Sequence, residues 1–562
     1  MKASIGGRFA RVVATVIALS FVGAAPAGAT IQLGDLLLFG DLSAQNLFRM
    51  RKPGDFNLVQ QRNTLRVGVD YKWLQEGKFI DKYDAPGFIQ QSSLYMLYRG
   101  VYDSVYDLKP GGAFYTFTGA RDGSFSDIPL GARDAVKWEN SLREAYMDID
   151  FADIPLSLRL GRQQIVWGET DNFRLLDRVN ALDLTWHLQQ EIEIGRGWDQ
   201  LRIPYWMMKW LYRLDDLGPI SNAFLEGFWN PGDWYPNKRR FLPYSPWSLP
   251  LENPIPFPTL ERGTVLFRQG DYTRNPADNS QVGVRFSGFG AGINFTMAYL
   301  YQRWAGDDGS NSAFIRADLD QATALEALGA NTLPAWYSTP YTHVFGVSGN
   351  YFEEYTESVL KSEMVYILGV PFNDGDKRSP VLPAQLFGIS KRDMFQGVVG
   401  FDRPTWVRAL NPNATILFLG QFFWHYILDN ERPVGDQIGF VGNLSPTMPL
   451  ISRSGGPCPA DFVNCKAVDR VRDWEMLMTL AATSFYMSGT LVPQLTYVLD
   501  PVNAFNMEVA WSFDYYVTPD FIVNMAQKYF INTTEEPVYE TWGVAGVNRG
   551  RSETQLRFTY QF

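Results

Sequence analysis

Along most of this chain apolar and polar side chains alternate with a period of two. Leu65, Val67, Val69, Tyr71 and Trp73 alternate with Thr64, Arg66, Gly68, Asp70 and Lys72. Ile293, Phe295, Met297, Tyr299 and Tyr301 form a second apolar face. Phe505, Met507, Val509, Trp511, Phe513 and Tyr515 alternate with Asn506, Glu508, Ala510, Ser512 and Asp514. Leu360, Met364, Tyr366 and Leu368 face away from Lys361 and Glu363. Ala145, Met147, Ile149 and Phe151 face away from Glu144, Asp148 and Asp150, with Tyr146 on the polar face. At the C-terminus Thr554, Leu556, Phe558, Tyr560 and Phe562 oppose Glu553, Gln555, Arg557, Thr559 and Gln561. Strand side chains point alternately to the two faces of a sheet, so each run presents one greasy and one polar face. Runs of about ten residues match a tilted strand crossing a bilayer. A soluble β-sandwich rarely keeps Phe, Trp, Tyr and Met together on one face for so long. A transmembrane barrel, with lipid outside and a wet lumen inside, requires it.

The connectors set the architecture. Beyond the N-terminal segment no apolar run reaches the length of a helical span, and only a closed barrel then satisfies its backbone in lipid. Short connectors near Gly288–Gly292, Tyr486–Ser488 and Val517–Pro519 alternate with long ones at 303–341, 370–392, 427–472 and 532–551. Outer-membrane barrels have short periplasmic turns and long outer loops, which places Phe562 at the periplasmic rim. The spacing predicts an all-β, antiparallel barrel of about 18 strands, with 16 as the fallback, over residues 30–562. The stretches 31–50 and 104–141 are the least regular. The second reads as an outer loop, with 113–119 a candidate extra strand.

The rhythm breaks after the strand Leu156–Trp167. The insertion 168–202 lacks alternation, and Phe173–Gln190 has helical spacing through Leu176, Val179, Leu182 and Trp186. A hairpin over 203–213 and 219–229 follows, then a loop over 230–280 rich in Pro and aromatics. A barrel this wide leaves an aqueous lumen unless something fills it. The insertion is read as that filler, against the alternative of an outer loop lying over the mouth.

The N-terminus changes the picture only by adding a compartment. Lys2, Arg8 and Arg11 precede an uncharged apolar run, and Ala27-Gly28-Ala29 is a small-residue cleavage site, so residues 1–29 read as a secretory signal peptide. Three of the 50 basic residues and none of the 60 acidic ones lie there, so the mature chain is more acidic than the full-length net charge of −10. That argues against a nucleic-acid partner. The only two cysteines, Cys458 and Cys465, sit in one long outer loop, where an exported chain is expected to form a disulfide. The competing metal reading lacks further ligands. The three histidines, His187, His343 and His425, show no ligand spacing, and no nucleophile elbow, phosphate loop or dinucleotide fingerprint appears. His425 reads as an interfacial side chain. The chain is therefore expected to be no enzyme and to need no cofactor or metal.

The candidate chemistry lies in the lumen. Arg159, Arg162, Glu169, Asp171, Arg174 and Arg178 surround the insertion, and Lys361, Glu363, Glu508 and Arg557 are inward wall charges by alternation. Glu169 is expected to pair with Arg162, Arg174 or Arg178. Such charges either pin the insertion to the wall or select solutes.

Two resemblances add to this. The terminal aromatics Phe558, Tyr560 and Phe562 resemble the signal by which Gram-negative outer-membrane proteins are recognised for insertion, which implies the barrel assembly machinery and outer-membrane lipids as partners. The segment Gly161-Arg162-Gln163, then Trp167-Gly168-Glu169, then Asn180, resembles the hallmark of a proteobacterial outer-membrane family, domain of unknown function 1302. That family usually continues with an Asn-Pro pair, whereas here Ala181-Leu182 follows Asn180. Its members are porin-like and often linked to resistance-nodulation-division exporters and a periplasmic partner. The resemblance implies an outer-membrane channel or transporter for small, hydrophobic solutes, with a plugged structural or assembly-partner barrel as the alternative. Solute, transport direction and oligomeric state are open at this point.

Overall fold

Each run of alternation becomes a strand paired with its neighbour in sequence. The computed structural model describes residues 30–50, 56–79, 83–84, 86–109, 113–114, 123–125, 130–171, 173–183, 198–234, 264–269, 276–305, 315–316, 332–337, 339–378, 387–429, 451–452, 465–466, 473–502, 505–531 and 552–562. The barrel strands are β1 Leu36–Met50, β2 Asn57–Gln75, β3 Ile89–Asp103, β4 Trp138–Phe151, β5 Leu156–Gln163, β6 Tyr205–Leu217, β7 Ile220–Asn230, β8 Gln281–Gly290 and β9 Ile293–Arg303. They continue as β10 Tyr341–Glu353, β11 Ser358–Arg378, β12 Phe387–Thr405, β13 Ile416–Ile427, β14 Trp474–Ser484, β15 Leu491–Asp500, β16 Asn506–Tyr516, β17 Phe521–Ile531 and β18 Ser552–Gln561. All neighbours are antiparallel, and β18 pairs with β1 from Asp41↔Gln561 to Met50↔Ser552, closing an 18-stranded barrel.

The closing seam is finished by the last residue. Phe562 donates its N–H to the Gly40 carbonyl at 2.9 Å and accepts the Gly40 N–H at 2.7 Å. Its ring lies where a Cβ on Gly40 would be, 2.7 Å from the nearest ring carbon, so the glycine gives the terminal aromatic its seat. Phe558 stacks on Phe521 beside it.

Alternation fixes the two faces. Met297, Val399 and Leu495 are 56%, 57% and 51% exposed, while Val398 and Leu300 on the other face are 3% and 0% exposed. The outward side chains form the lipid face, and a charge there would cost about 2–4 kcal/mol at mid-depth. Aromatic pairs such as Trp424–Trp474 and Tyr301–Tyr341 lie at the outer ends of their strands, as interfacial girdles do. No helix among the described residues is long and apolar enough to cross a membrane. The short connectors fall at the other end. At Ala291-Gly292 both residues have positive φ, the two-residue turn whose twist matches a hairpin.

The irregular stretches resolve differently. Residues 36–50 form a complete barrel strand. Residues 113–114 pair only with 123–124, outside the barrel sheet. The outer connector after β3 folds inward: Val105, Tyr106, Phe125 and Val136 pack with the inward Leu47, Val59 and Ala526. In β4 an extra residue at Arg143 shifts the register, so Arg143 and Glu144 both face inward and Tyr146 follows Glu144 onto the lumen side. The hairpin β11–β12 carries its pairing to Arg378↔Phe387, so much of the expected loop 370–392 is strand. The signal peptide 1–29, Cys458, and most of the 230–280 loop lie outside the described residues, as does any test of the disulfide.

Candidate functional site: a segment across the lumen

After β5 the chain leaves the wall and returns at β6, and Asn180 closes the base of that excursion. Its side-chain oxygen accepts the Ile165 N–H at 2.7 Å, and its amide donates to the Ile203 carbonyl at 2.8 Å and the Gln163 carbonyl at 3.4 Å. Only a carboxamide offers acceptor and donors together in this way. Ile203 N–H to the Ala181 carbonyl (2.7 Å) and Asp183 N–H to the Leu201 carbonyl (2.8 Å) complete the clip.

Trp167 is fully buried and donates its indole N–H to Glu226 of β7 at 2.6 Å. Glu226 is held in turn by Arg285 of β8 at 3.3 Å and Lys209 of β6 at 3.7 Å, and the Arg285 guanidinium lies over the Trp167 ring. Gln163, also fully buried, donates to the Met207 carbonyl at 2.9 Å. Gly161, at φ +136°, sits where a Cβ would meet the Ala145 carbonyl oxygen at 2.3 Å.

From this base the segment reaches the far wall. Glu363 of β11 accepts the Glu169 N–H at 2.8 Å and the Leu176 N–H at 2.5 Å, gathering both ends of the loop 169–176. Gly168 makes room for it, with φ +113° and a position where a Cβ would lie 2.8 Å from Glu363 Oε2. Lys361 bonds Asp171 at 3.4 Å and Asp402 at 2.5 Å. Arg178 donates to the Leu175 carbonyl at 2.5 Å and to Gln396 of β12, with its guanidinium over Trp304. Leu176 packs onto Gly346 of β10, and Phe173 meets Phe423 of β13 edge-on.

The return limb is bound to the opposite wall. Arg99 of β3 donates to the Gln200 carbonyl at 2.8 Å, and Arg143 of β4 to the carbonyls of Gln200 and Arg202 at 3.0 and 2.5 Å. Gln164 bridges to Glu144 at 2.8 Å, and Arg66 of β2 lies 3.8 Å from Asp199. Asp177 joins the two limbs, binding Arg202 at 2.6 Å with Arg174 at 4.0 Å. The segment thus touches β2–β4 on one side and β10–β13 on the other.

Several expectations change. Residues 173–183 are not helical, and the four-residue helix Trp198–Leu201 is the only one in the described part of the insertion. Side chains take several of their backbone groups: Glu363 accepts the Leu176 N–H, Arg174 donates to the Asn180 carbonyl and Arg178 to the Leu175 carbonyl. Glu169 accepts from Asn350 of β10 at 3.3 Å, not from an arginine, because the loop carries it away from Arg162. Arg162 is half-buried, and its Nε has no hydrogen-bond partner. Arg159 faces inward but bonds Asp148 on the neighbouring strand at 2.7 Å and stacks on Tyr146. Glu508 pairs with Lys528 at 2.9 Å, away from the insertion. His425 faces inward, 4.0 Å from Glu475, because Trp424 and Tyr426 take the lipid side. Sequence reasoning missed Glu226, although it is the one charged residue in Ile220–Asn230.

The lumen is divided. Leu300, Val344, Ile367, Met394, Phe423 and Leu477 form an apolar patch on the inward face of β9–β14, beside the polar Glu363, Gln396 and His425, and Leu175, Leu176 and Val179 pack on it. On the side of β16–β18, β1 and β2 the inward face is polar and burial changes with depth. Along β18, Glu553 and Gln555 are buried, Arg557 and Thr559 half-buried, and Gln561 exposed. A polar cavity of about 330 Å³ occupies the periplasmic half there, beneath Asp199 and Gln200, with Arg557 in its wall.

Among solved structures the chain is similar to Acinetobacter baumannii OccAB4 (9% identity, 94% of this chain and 99% of that one, TM-score 0.43) and Pseudomonas aeruginosa OccK8 (9% identity, 94% and 98%, TM-score 0.42). It is also similar to Salmonella typhi OmpF, solved with daunomycin (9% identity, 95% and 100%, TM-score 0.35). No curated protein matches the chain. A family model described as a protein of unknown function, DUF1302, matches residues 82–561. A closed barrel with a lipid face and aromatic girdles is an outer-membrane barrel, and the chain belongs to the DUF1302 family.

Proposed function

We propose that this protein is an outer-membrane channel for small solutes in which the segment 164–204 is a fixed constriction. The observation that carries the reading is the fastening of that segment to opposite walls, by Glu363 and Gln396 on one side and by Arg99 and Arg143 on the other. Charges in a narrowed lumen lose hydration and need partners, and those of the insertion have them. Purified protein in planar bilayers is expected to give discrete conductance steps, and deletion of 170–195 larger ones. Unchanged steps in an inserted deletion variant sink the constriction. A silent bilayer with verified insertion favours the plugged scaffold, a reading that the apolar packing between the segment and β9–β14 supports.

For cargo two readings have support. The apolar patch on the inward face of β9–β14, together with the exporter-linked habit of the family it resembles, favours hydrophobic molecules moving along the seam beside the insertion. The polar cavity favours small hydrophilic solutes on the other side. Uptake by proteoliposomes of a sterol or hydrocarbon against an amino acid or sugar decides between them. Partnership with a periplasmic protein and a resistance-nodulation-division exporter is tested by co-purification after crosslinking in cells, where recovery of neither removes it.

A further inference from the structure

We propose that the polar cavity in the periplasmic half of the lumen is a binding site for a small zwitterionic solute of the α-amino acid class, entered from the periplasm. The inference rests on the hydrophilic reading of the channel and names its solute. The cavity, about 330 Å³, lies among the periplasmic ends of β1, β2 and β16–β18 and under the helix Trp198–Leu201. It carries charges of both signs: the guanidiniums of Arg66 and Arg557 and the carboxylates of Asp41, Asp199 and Asp514. Arg66 bonds Asp41 at 2.6 Å and lies 3.8 Å from Asp199, and Asp514 accepts from Asn524, so charges of both signs are held in place around the cavity. A solute of one sign meets an opposing set in such a cavity. A zwitterion substitutes charge for charge, leaving no buried group uncompensated. Guanidiniums take a carboxylate in paired hydrogen bonds, and carboxylates take an ammonium.

The outer boundary of the cavity is built as well. Gln45 donates to Gln555 at 2.5 Å, Gln555 to Asn524 at 2.7 Å, and Asn524 to Asp514 at 2.7 Å. This amide chain crosses four adjacent strands and ends on a carboxylate of the cavity, fixing its orientation. Beyond it, toward the outside, Leu47, Ala526, Lys528 and Glu553 are buried, while Gln561 at the periplasmic rim is exposed. The cavity is therefore reached from below and roofed above.

The test uses the folded full-length barrel in detergent, with titration calorimetry of L-glutamine, its N-acetyl derivative and its methyl ester. L-Glutamine is expected to bind, and each derivative, lacking one charge, to bind at least about tenfold more weakly. Arg557→Gln and Asp514→Asn are each expected to weaken L-glutamine by about tenfold or more while the heat-modifiable migration of the barrel is kept. In asymmetric bilayers L-glutamine should reduce the current from the periplasmic face only. Equal binding of all three compounds, or no binding by a barrel that conducts, overturns the site. A barrel that binds L-glutamine but never conducts keeps the site and overturns the channel.

Discussion

Replacing Glu363 by Gln isolates the contact that holds the insertion to the far wall. The carboxylate is 1% exposed and accepts two backbone N–H groups, from Glu169 and Leu176. The amide keeps the shape but offers one acceptor atom, and its NH2 group then faces a donor. One charge-assisted bond is lost and one buried N–H is left without an acceptor, together about 2–4 kcal/mol locally. Asp177 and Glu169 lie close enough for their charges to act on Glu363, so relief of repulsion pulls the figure toward the lower end. If the loop 169–176 opens independently of the barrel, its amide exchange should rise roughly 30- to 700-fold, with strand amides unchanged. Hydrogen exchange read by mass spectrometry on peptides spanning 165–180 measures this. Single-channel records should show added flicker. Exchange in that peptide indistinguishable from wild type would mean that apolar packing by Leu175 and Leu176, not the carboxylate, seats the loop.

Three further outcomes follow from the same geometry. Asn180→Ala removes the three bonds between the limbs and should cost about 2–3 kcal/mol in local stability, seen as faster proteolysis within 164–204 of an otherwise intact barrel; equal cleavage rates contradict the clip. Trp167→Phe loses the bond to Glu226 and should lower the unfolding midpoint in denaturant, a loss of about 1.5–3 kcal/mol, whereas an unchanged midpoint assigns the site to packing alone. Thiol labelling of the unfolded, non-reduced protein should find no free thiol, two per chain ruling out the Cys458–Cys465 disulfide, and replacing both by Ser should leave barrel assembly intact.

What was legible in the sequence is what the surroundings dictate one residue at a time. Lipid demands an apolar side chain at every second position, so most strands and their faces could be read from the chain alone. Local insertions in that rhythm could not. The extra residue at Arg143 looks like an ordinary polar position until its partner strand is known. Asn180 and Trp167 stood out as motif residues, but their partners lie on limbs and strands that only closure brings near. Glu226, Arg285 and Lys209 come from three strands, and no pattern within one strand announces them. The inward packing of Val105, Tyr106, Phe125 and Val136 had one signal: Leu47 is apolar on a face otherwise made of Ser43, Gln45 and Arg49. An apolar side chain on the lumen side implies something to cover it.

The seating of the insertion also imposes an order on assembly. Barrel neighbours are consecutive in the chain except at the β18–β1 seam, so each strand has only the connector to its neighbour to close. The contacts of Glu363 with Glu169 and of Gln396 with Arg178 instead span 194 and 218 residues. They form only after β11 and β12 have been added to the growing sheet. Until then Leu175, Leu176 and Val179 have no wall to rest on, and a nascent half-barrel carries them as exposed greasy surface. The segment fastened across the lumen is thus a late-maturing element, seated only once β11 and β12 are in place.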